Sequence, residues 1–599
     1  MTPLIDFEPV GRRGECRKGD SLLECARSLG VELVNICGGE GTCGGCVVQV
    51  LAGRTSPITE SEREFITEEK LAEGYRLACR AVPASDCKVR VPAESLTTRQ
   101  RTQVEGQEVP VVPDPVAKSY LLAIEPPSLD DLRSDARRLA EKLAEEHGVS
   151  DIDFDLCVLR SLPDVLRDNH WRVKVILYNH ECIAVMPEST RPLGVAVDLG
   201  TTKIALYLMD LESGQTLATK GMMNPQVAHG EDIVTRMAAT QKDPTMAAHF
   251  QAIIVEALNE AMAEMCTSCQ QDTSQIVNIV LVGNTAMHHL FLCLPVRQLG
   301  RAPYVPAVSS ALEIKARDLG LAAAAGTYVH LLPNIAGYVG ADHVAMLLAT
   351  GMQTKTGVAL AIDIGTNTEI CLADHGTLTS LSTASGPAFE GAYIKYGMRA
   401  ADGAIERFQI IDGKIKYQTI ENTPAIGLCG SGILDVLAQL LLNGVVNRQG
   451  RMGDHLLVRG DGKEREFVIV PGSGNGNEVT FTQKDVEQLQ LAKGAIRTGI
   501  EVLLSRNKLS KDDIAEIILA GAFGTYLDVS SAIAIGMLPD IPREKIHQVG
   551  NAAGMGAKLA LISEQKREEA KEMARKVNYI ELAGDPSFMR TFAKAMRLG

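Results

Sequence analysis

The sequence predicts a multidomain α/β protein with three parts: a small cysteine-rich β unit at the N-terminus, a small α+β unit, and a large duplicated α/β part. Three observations carry this. Seven of the 14 cysteines fall within the first 87 residues. Two segments 165 positions apart, around Asp198 and Asp363, share one pattern of strand, Asp-apolar-Gly-Thr turn and strand. A polar, Pro-containing stretch from Ser95 to Lys118 separates the cysteine-rich unit from the rest. The chain has 599 residues, 45% apolar and 22% charged, an ordinary globular composition that excludes wholesale disorder. The net charge of −14 argues against nucleic acid as a main partner. No apolar run reaches the roughly 18 residues of a membrane span. The first residues lack the apolar core of a signal peptide, so the expected location is cytoplasmic, with no membrane partner.

Residues 37 to 46 read Cys-Gly-Gly-Glu-Gly-Thr-Cys-Gly-Gly-Cys, and Cys79 follows Cys46 by 33 positions. In a reducing compartment such a local cluster reads as metal or redox chemistry, not as a disulfide framework. Four thiolates from Cys37, Cys43, Cys46 and Cys79 can hold a [2Fe–2S] cluster. The glycines permit the positive φ angles and close backbone approach that a wrapping loop needs. A four-cysteine zinc site prefers paired C-x2-C knuckles, and only one such pair is present. Ser21 to Leu29 reads as a short helix before the loop, and Val47 to Val50 as a strand after it. Cys16, Cys25 and Cys87 read as structural thiols and as the spare ligands.

From Ser95 to Lys118 the chain reads as a linker, either one that lets the first unit swing or a strap packed on its neighbour. Tyr120 to Glu125 reads as a strand. Ser128-Leu129-Asp130-Asp131 resembles a capping start for a helix to about His147, with Leu132, Leu139 and Leu143 on one face. Trp171 to Tyr178 and Cys182 to Met186 alternate like a hairpin. His170 sits in a near miss to a cobalamin-binding fingerprint, with Val173 where Gly is needed. The expected units are residues 1–94, a linker over 95–119, a middle unit over 120–190 and a C-terminal part over 191–599.

In the C-terminal part, Asp198-Leu199-Gly200-Thr201-Thr202-Lys203 and Asp363-Ile364-Gly365-Thr366-Asn367 suit paired phosphate hairpins. The carboxylates can hold Mg2+ through water, the glycines let the backbone approach phosphate, and the hydroxyls and turn N–H groups donate to its oxygens. Ile517 to Gly524 is an apolar strand running into a Gly turn and helix, with Gly521, Ala522 and Phe523 suited to packing on an adenosine. Gly430, in Gly427-Leu428-Cys429-Gly430-Ser431, opens a helix whose N-terminus suits phosphate. Glu390, in Ser385-Gly386-Pro387-Ala388-Phe389-Glu390, suits orienting an attacking water or the metal, and equally suits a surface carboxylate. Cys266 and Cys269 read as ordinary thiols, and His288 and His289 as core or lobe-interface residues.

The cysteine segment resembles the ferredoxin family over about the first 95 residues. Its five-residue first gap matches the adrenodoxin-like members, and the resemblance implies a β-grasp fold. Residues 191 to 599 resemble the actin-like (ASKHA) superfamily of acetate kinase, sugar kinases, chaperone ATPases and actin. In that comparison Val282 to Ala286 and Asn551 to Ala557 look like the two helices that connect the lobes. The whole order resembles the reductive activators of corrinoid proteins. The resemblance implies a [2Fe–2S] cluster, ATP and Mg2+ as cofactors, and ATP-dependent reduction of Co(II) to Co(I) on a partner. That partner is a corrinoid iron–sulfur protein or the corrinoid subunit of a methyltransferase system. It also implies an external low-potential electron donor and a homodimer. The competing readings are an ATP-driven donor to a different metalloenzyme and a redox-sensing ATPase. A small-molecule kinase has no use for the cluster unit.

Overall fold

The computed structural model describes the chain except residues 1–2, 9–11, 30, 32, 34–36, 38, 43, 93–94, 96–105, 107–110, 231, 366, 392 and 473–477, and the side chain of Ala522. The sequence readings of Cys43 and Thr366, and much of the linker, lie outside the described residues.

The N-terminal unit is a five-stranded sheet in the order Arg12–Glu15, Leu4–Glu8, Cys87–Arg90, Val47–Ala52, Tyr75–Leu77. Leu4–Glu8 runs parallel to Cys87–Arg90 and antiparallel to Arg12–Glu15. The predicted helix is Leu22–Ser28, started by a capping box between Ser21 and Glu24. Its Leu22, Leu23 and Ala26 pack with Ile5, Phe7, Val48 and Val89. The backbone N–H groups of Leu22 and Leu23 donate to the carbonyls of Ala81 and Ala78, at 2.8 and 3.0 Å. The same helix that fills the core thus anchors both flanks of Cys79. Cys16 and Cys25, read from sequence as separate thiols, are joined to each other by a disulfide. The fold brings them together because the strand end at Cys16 abuts the helix that carries Cys25.

The second unit is a four-stranded sheet in the order Ala117–Ala123, Arg172–Tyr178, Glu181–Pro187, Asp153–Phe154. The predicted hairpin is present. The helix starts later than expected, spanning Asp135–His147 with Ser134 as its cap. Asp131 is instead paired with Arg133 and Arg138, so the Ser128 segment forms a turn, and Leu132 is 82% exposed. Leu139 and Leu143 lie in the core as expected.

The C-terminal part holds two six-stranded sheets. The first runs Thr216–Met223, Lys203–Asp210, Leu193–Leu199, Ile276–Val282, Tyr328–Leu331, Leu312–Lys315. The second runs Ile546–Gly550, Ile514–Ala520, Val358–Ile364, Thr368–Asp374, Thr377–Thr383, Asn578–Tyr579. Both predicted hairpins are centrally placed antiparallel pairs, each with a parallel strand on its other side. The central strands are buried on both faces, as their near-continuous Val/Ile/Leu/Ala runs require. Each sheet is followed or interrupted by a 24-residue helix, Thr245–Ser268 in one and Gln483–Arg506 in the other, so the duplication extends beyond the hairpins.

One connecting helix differs from the expectation. Val282 to Ala286 opens the short helix Thr285–Phe291, whose side chains, including His288 and His289, are buried within the first lobe. The helix that crosses against Ala552–Ile562 is Ala341–Thr350. Their backbones meet so closely that a Cβ at Gly556 would lie 2.0 Å from the carbonyl oxygen of Ala345.

Candidate functional site

Two sites emerge. In the first, the sulfurs of Cys46 and Cys79 stand 3.3 Å apart. Cys37 and Cys46 are buried, and Cys79 is half-buried. The Cys46 sulfur lowers the pKa of Cys79, against burial and against the charge of Cys37, so three of the four predicted thiols share one environment. Gly39, Gly41 and Gly44 take left-handed backbone angles of 98°, 74° and 66°. This all-sulfur donor set in a glycine-rich loop fits an iron–sulfur cluster. Cys87 is not a spare ligand: its thiol donates to the carbonyls of Ser85 and Arg54, and burial pushes its pKa up. Cys16 and Cys25 are removed from the donor set by their disulfide.

The second site lies between the two C-terminal sheets. Asp198 and Asp363 sit near the ends of their central strands, and Asp342 is the second residue of Ala341–Thr350. Burial raises the Asp198 carboxyl to about 6. Burial, reinforced by the charge of Asp198, raises Asp363 to about 7. Burial, then Asp198 and Asp363, raises Asp342 to about 7. Burial, then Asp342 and Asp363, also raises Glu369, which accepts a 3.0 Å hydrogen bond from Ser382. Carboxylates that hold one another's protons up are a donor set short of positive charge. Among the described residues no three His, Cys, Asp or Glu side chains converge as a bare metal site.

The first hairpin turn is braced from three directions. Asn284 donates to the Thr201 hydroxyl at 2.9 Å, Asn224 donates to the Gly200 carbonyl at 2.9 Å, and buried Arg236 donates to the Thr201 carbonyl at 2.7 Å. The Thr202 carbonyl accepts from the Asn224 backbone at 2.9 Å. Burial lowers the pKa of Lys203, while the charge of Glu390 raises it and that of Arg399 lowers it. The Coulombic link brings Glu390, from the second lobe, into the neighbourhood of the first hairpin. In the second hairpin the Gly365 N–H donates to the Asn367 carbonyl at 3.2 Å, and the Ser385 hydroxyl donates to the Gly365 carbonyl at 3.1 Å.

Gly521 has a positive φ of 81°, and a Cβ there would lie 2.4 Å from Asp363 Oδ1, so only glycine lets this turn meet the carboxylate. Phe523 stacks on Phe389 with ring centroids 4.8 Å apart and is nearly buried. Its ring is therefore engaged inside the second lobe. Gly430 opens the 13-residue helix Gly430–Leu442, packed beneath Phe523. Asp342, Glu369 and Asn551 were not among the expected site residues. Glu369 lies within the second hairpin motif, but Asp342 and Asn551 enter only because helices of opposite lobes begin beside the hairpins.

Four family models match in chain order: a 2Fe-2S iron-sulfur cluster binding domain over residues 5–84, the RACo linker region over 106–192, the RACo middle region over 193–355, and the C-terminal, ASKHA domain of RACo over 357–599. The chain is 33% identical to the corrinoid activation enzyme RamQ of Eubacterium limosum over 588 residues, covering 95% of this chain and 94% of that protein. It is 26% identical over 417 residues to a Methanosarcina barkeri reductase of a Co(II) methylated amine-specific corrinoid protein, covering 64% of this chain and 72% of that one. A solved reductive activator for corrinoid, iron-sulfur protein superposes with a TM-score of 0.73 at 33% identity, covering 100% of this chain and 98% of that one. No helix among the described residues is long and apolar enough to cross a membrane. With an N-terminal [2Fe–2S] domain, a C-terminal ASKHA ATPase domain and similarity along its whole length, the chain belongs to the reductive activators of corrinoid proteins.

Proposed function

We propose that this protein uses ATP to return a corrinoid protein from inactive Co(II) to methyl-accepting Co(I) by one-electron transfer. One observation carries the reading: a thiol-lined loop and an acidic interlobe cleft occur in a single chain that matches known activators from end to end. We assign the cluster unit to residues 1–94, the linker to 95–119, the middle unit to 120–190 and the ATPase to 191–599. Cys37, Cys43, Cys46 and Cys79 would hold the [2Fe–2S] cluster. Bound there, it supplies a one-electron carrier of low potential, near roughly −400 mV in plant-type centres.

In this reading the Co(II)/Co(I) couple of the partner lies lower still, and ATP closes the gap. It does so without touching the electron. Lobe closure on ATP favours the docked complex in which the cobalt ligands give a higher potential, by differential affinity for the two lobe arrangements. Asp198, Asp363 and Asp342 would hold Mg2+ through its waters and the nucleotide phosphates. Gly200, Thr201, Thr202, Gly365, Thr366 and Asn367 are the turn residues that would contact the same phosphates. Lys203 and Glu390 come near each other from opposite lobes. There the lysine suits the transferring phosphoryl group, and the glutamate suits the attacking water. An external low-potential donor refills the cluster, and the partner is a corrinoid iron–sulfur protein or a methyltransferase corrinoid subunit. We further propose a homodimer.

The division of labour is testable by two substitutions. Cys43→Ser should abolish electron transfer and leave ATP binding intact. Asp198→Asn should weaken Mg-ATP binding and leave the cluster spectrum unchanged. Loss of the cluster in the Asp198 variant would contradict the assignment.

A further inference from the structure

Asn551 makes a bond that crosses between the lobes. Its Nδ2 donates to Asp198 Oδ2 at 2.9 Å, and its Oδ1 accepts from the Gly554 backbone N–H at 2.7 Å. The amide orientation is therefore fixed at both ends: the oxygen caps the Ala552–Ile562 helix, and the nitrogen reaches the first hairpin. Asp198 belongs to the first sheet, whereas Asn551 directly follows the Ile546–Gly550 strand of the second. The helix that Asn551 starts packs on the first sheet, so the bond sits where the chain passes from the second sheet to the first.

The residue before it carries the other half of the connection. Gly550 forms an antiparallel bridge with Gly106, in the segment that joins the cluster unit to the middle unit. A Cβ on Gly106 would lie 2.6 Å from Met555 Cγ and 2.9 Å from the Asn551 carbonyl oxygen, so the approach depends on glycine. At the far end of the same helix the Asp114 N–H donates to the Ile562 carbonyl, and the Glu564 N–H donates to the Asp114 carbonyl, each at 2.8 Å. The connecting segment is thus tied to both ends of the Ala552–Ile562 helix, whose backbone is pressed against Ala345 of the crossing helix Ala341–Thr350.

We propose that Asn551 is a positioning residue that transmits nucleotide occupancy from the Asp198 hairpin, through the Gly550–Gly106 bridge, to the segment carrying the cluster unit. This rests on the assignment of the nucleotide to the interlobe cleft. When the lobes close, the Asn551–Asp198 bond makes the start of the helix follow the hairpin. The bridged segment moves with it, and the orientation of the cluster unit becomes dependent on the nucleotide. No contact between the nucleotide and the cluster unit is needed.

The test is hydrogen–deuterium exchange on the full-length protein with its cluster loaded, with and without Mg2+ and a non-hydrolysable ATP analogue. In the native protein the analogue should change exchange in peptides covering the first hairpin and in the peptide containing Gly106 and residues 111–114. Asn551→Ser keeps a helix cap of similar quality, but its shorter side chain cannot also reach Asp198. It should fold and load its cluster, still show protection of the first hairpin by the analogue, and lose the response at Gly106. Gly106→Ala should lose the same strap response while binding the analogue normally. A full response at Gly106 in Asn551→Ser, or none there in the native protein despite protection of the hairpin, would overturn the inference and leave the nucleotide site standing. Absence of hairpin protection in the native protein would overturn the site itself, and the inference with it.

Discussion

Glu62→Ala in the cluster unit removes a carboxylate that organises the return strand to Cys79. Glu62 is fully buried, and Arg76 is 5% exposed. Arg76 Nε and Nη2 donate to the two carboxylate oxygens at 2.7 and 3.0 Å. The same oxygens accept from the Leu77 N–H at 3.2 Å and the Thr59 N–H at 2.8 Å. Breaking a buried pair from one side leaves an uncompensated charge and costs about 3–5 kcal/mol. Arg76 keeps the carbonyls of Ser56 and Pro57 at 2.9 and 3.2 Å, which places the loss near the lower end, at about 3 kcal/mol. A domain has only about 5–15 kcal/mol in total, and Leu77 lies two residues from Cys79, a proposed cluster ligand. The variant should bleach its visible cluster absorption at a clearly lower urea concentration than the native protein under anaerobic conditions. Replacing both partners, as Glu62→Leu with Arg76→Met, should recover most of the loss, because no buried charge remains. The pH dependence has a definite sign. Burial raises the Glu62 carboxyl, but Arg76 and Thr59 more than offset this, and its pKa lies below the usual range. The stabilisation is therefore present above the ordinary glutamate pKa and is lost as pH falls below about 4.5. An unchanged bleaching midpoint in Glu62→Ala at neutral pH would refute the reasoning.

Other expectations concern the cleft. Because Asp198, Asp342 and Asp363 have pKa values raised to about 6, 7 and 7, Mg-ATP binding should release protons near neutral pH. Its apparent affinity should fall as pH drops from 7 to 6, and calorimetry in buffers of different ionisation enthalpy would show the release. The same raised values mean that the nucleotide-free cleft is most stable below about pH 4 and loses stability as pH rises through 6 to 7. Melting in EDTA across that range tests the sign. Asp342→Asn removes one of the facing charges. It should stabilise nucleotide-free protein at pH 8, by at most about 4 kcal/mol, while raising the Mg2+ concentration needed for half-maximal hydrolysis. Lys203→Met should lower ATP turnover about a hundredfold or more, as loss of an electrostatic contact to a transferring phosphoryl group does, without altering the cluster spectrum.

Much of this architecture was legible because the relevant signals are local. A thiol loop has to be written as closely spaced Cys and Gly, and a phosphate hairpin as Asp-apolar-Gly-Thr between apolar strands. What the sequence withheld depends on tertiary placement. Asp342 reads as an ordinary first-turn acid of a helix and acquires its role only by facing Asp198 and Asp363. Asn551 reads as a helix cap, which it is, and its second bond spans 353 positions. Ser128 and Ser134 both carry capping signatures, and the choice between them was made by Asp131 pairing with Arg138. The Val282 to Ala286 segment looks like the start of a crossing helix because it is one strand–turn–helix unit among several. Only packing shows that Ala341–Thr350 makes the crossing. Phe523 reads as a residue for packing on an adenosine, and only the tertiary structure shows that one face of its ring stacks on Phe389.

The measurement that bears most directly on the central claim uses the anaerobically purified protein, a Co(II) corrinoid protein and a low-potential reductant, followed by visible spectroscopy. The Co(I) band should appear only when ATP is present, and should be lost in Cys43→Ser and in Asp198→Asn. A protein with an intact cluster spectrum and measurable ATP hydrolysis that yields no Co(I), or yields it equally without ATP, would contradict the account.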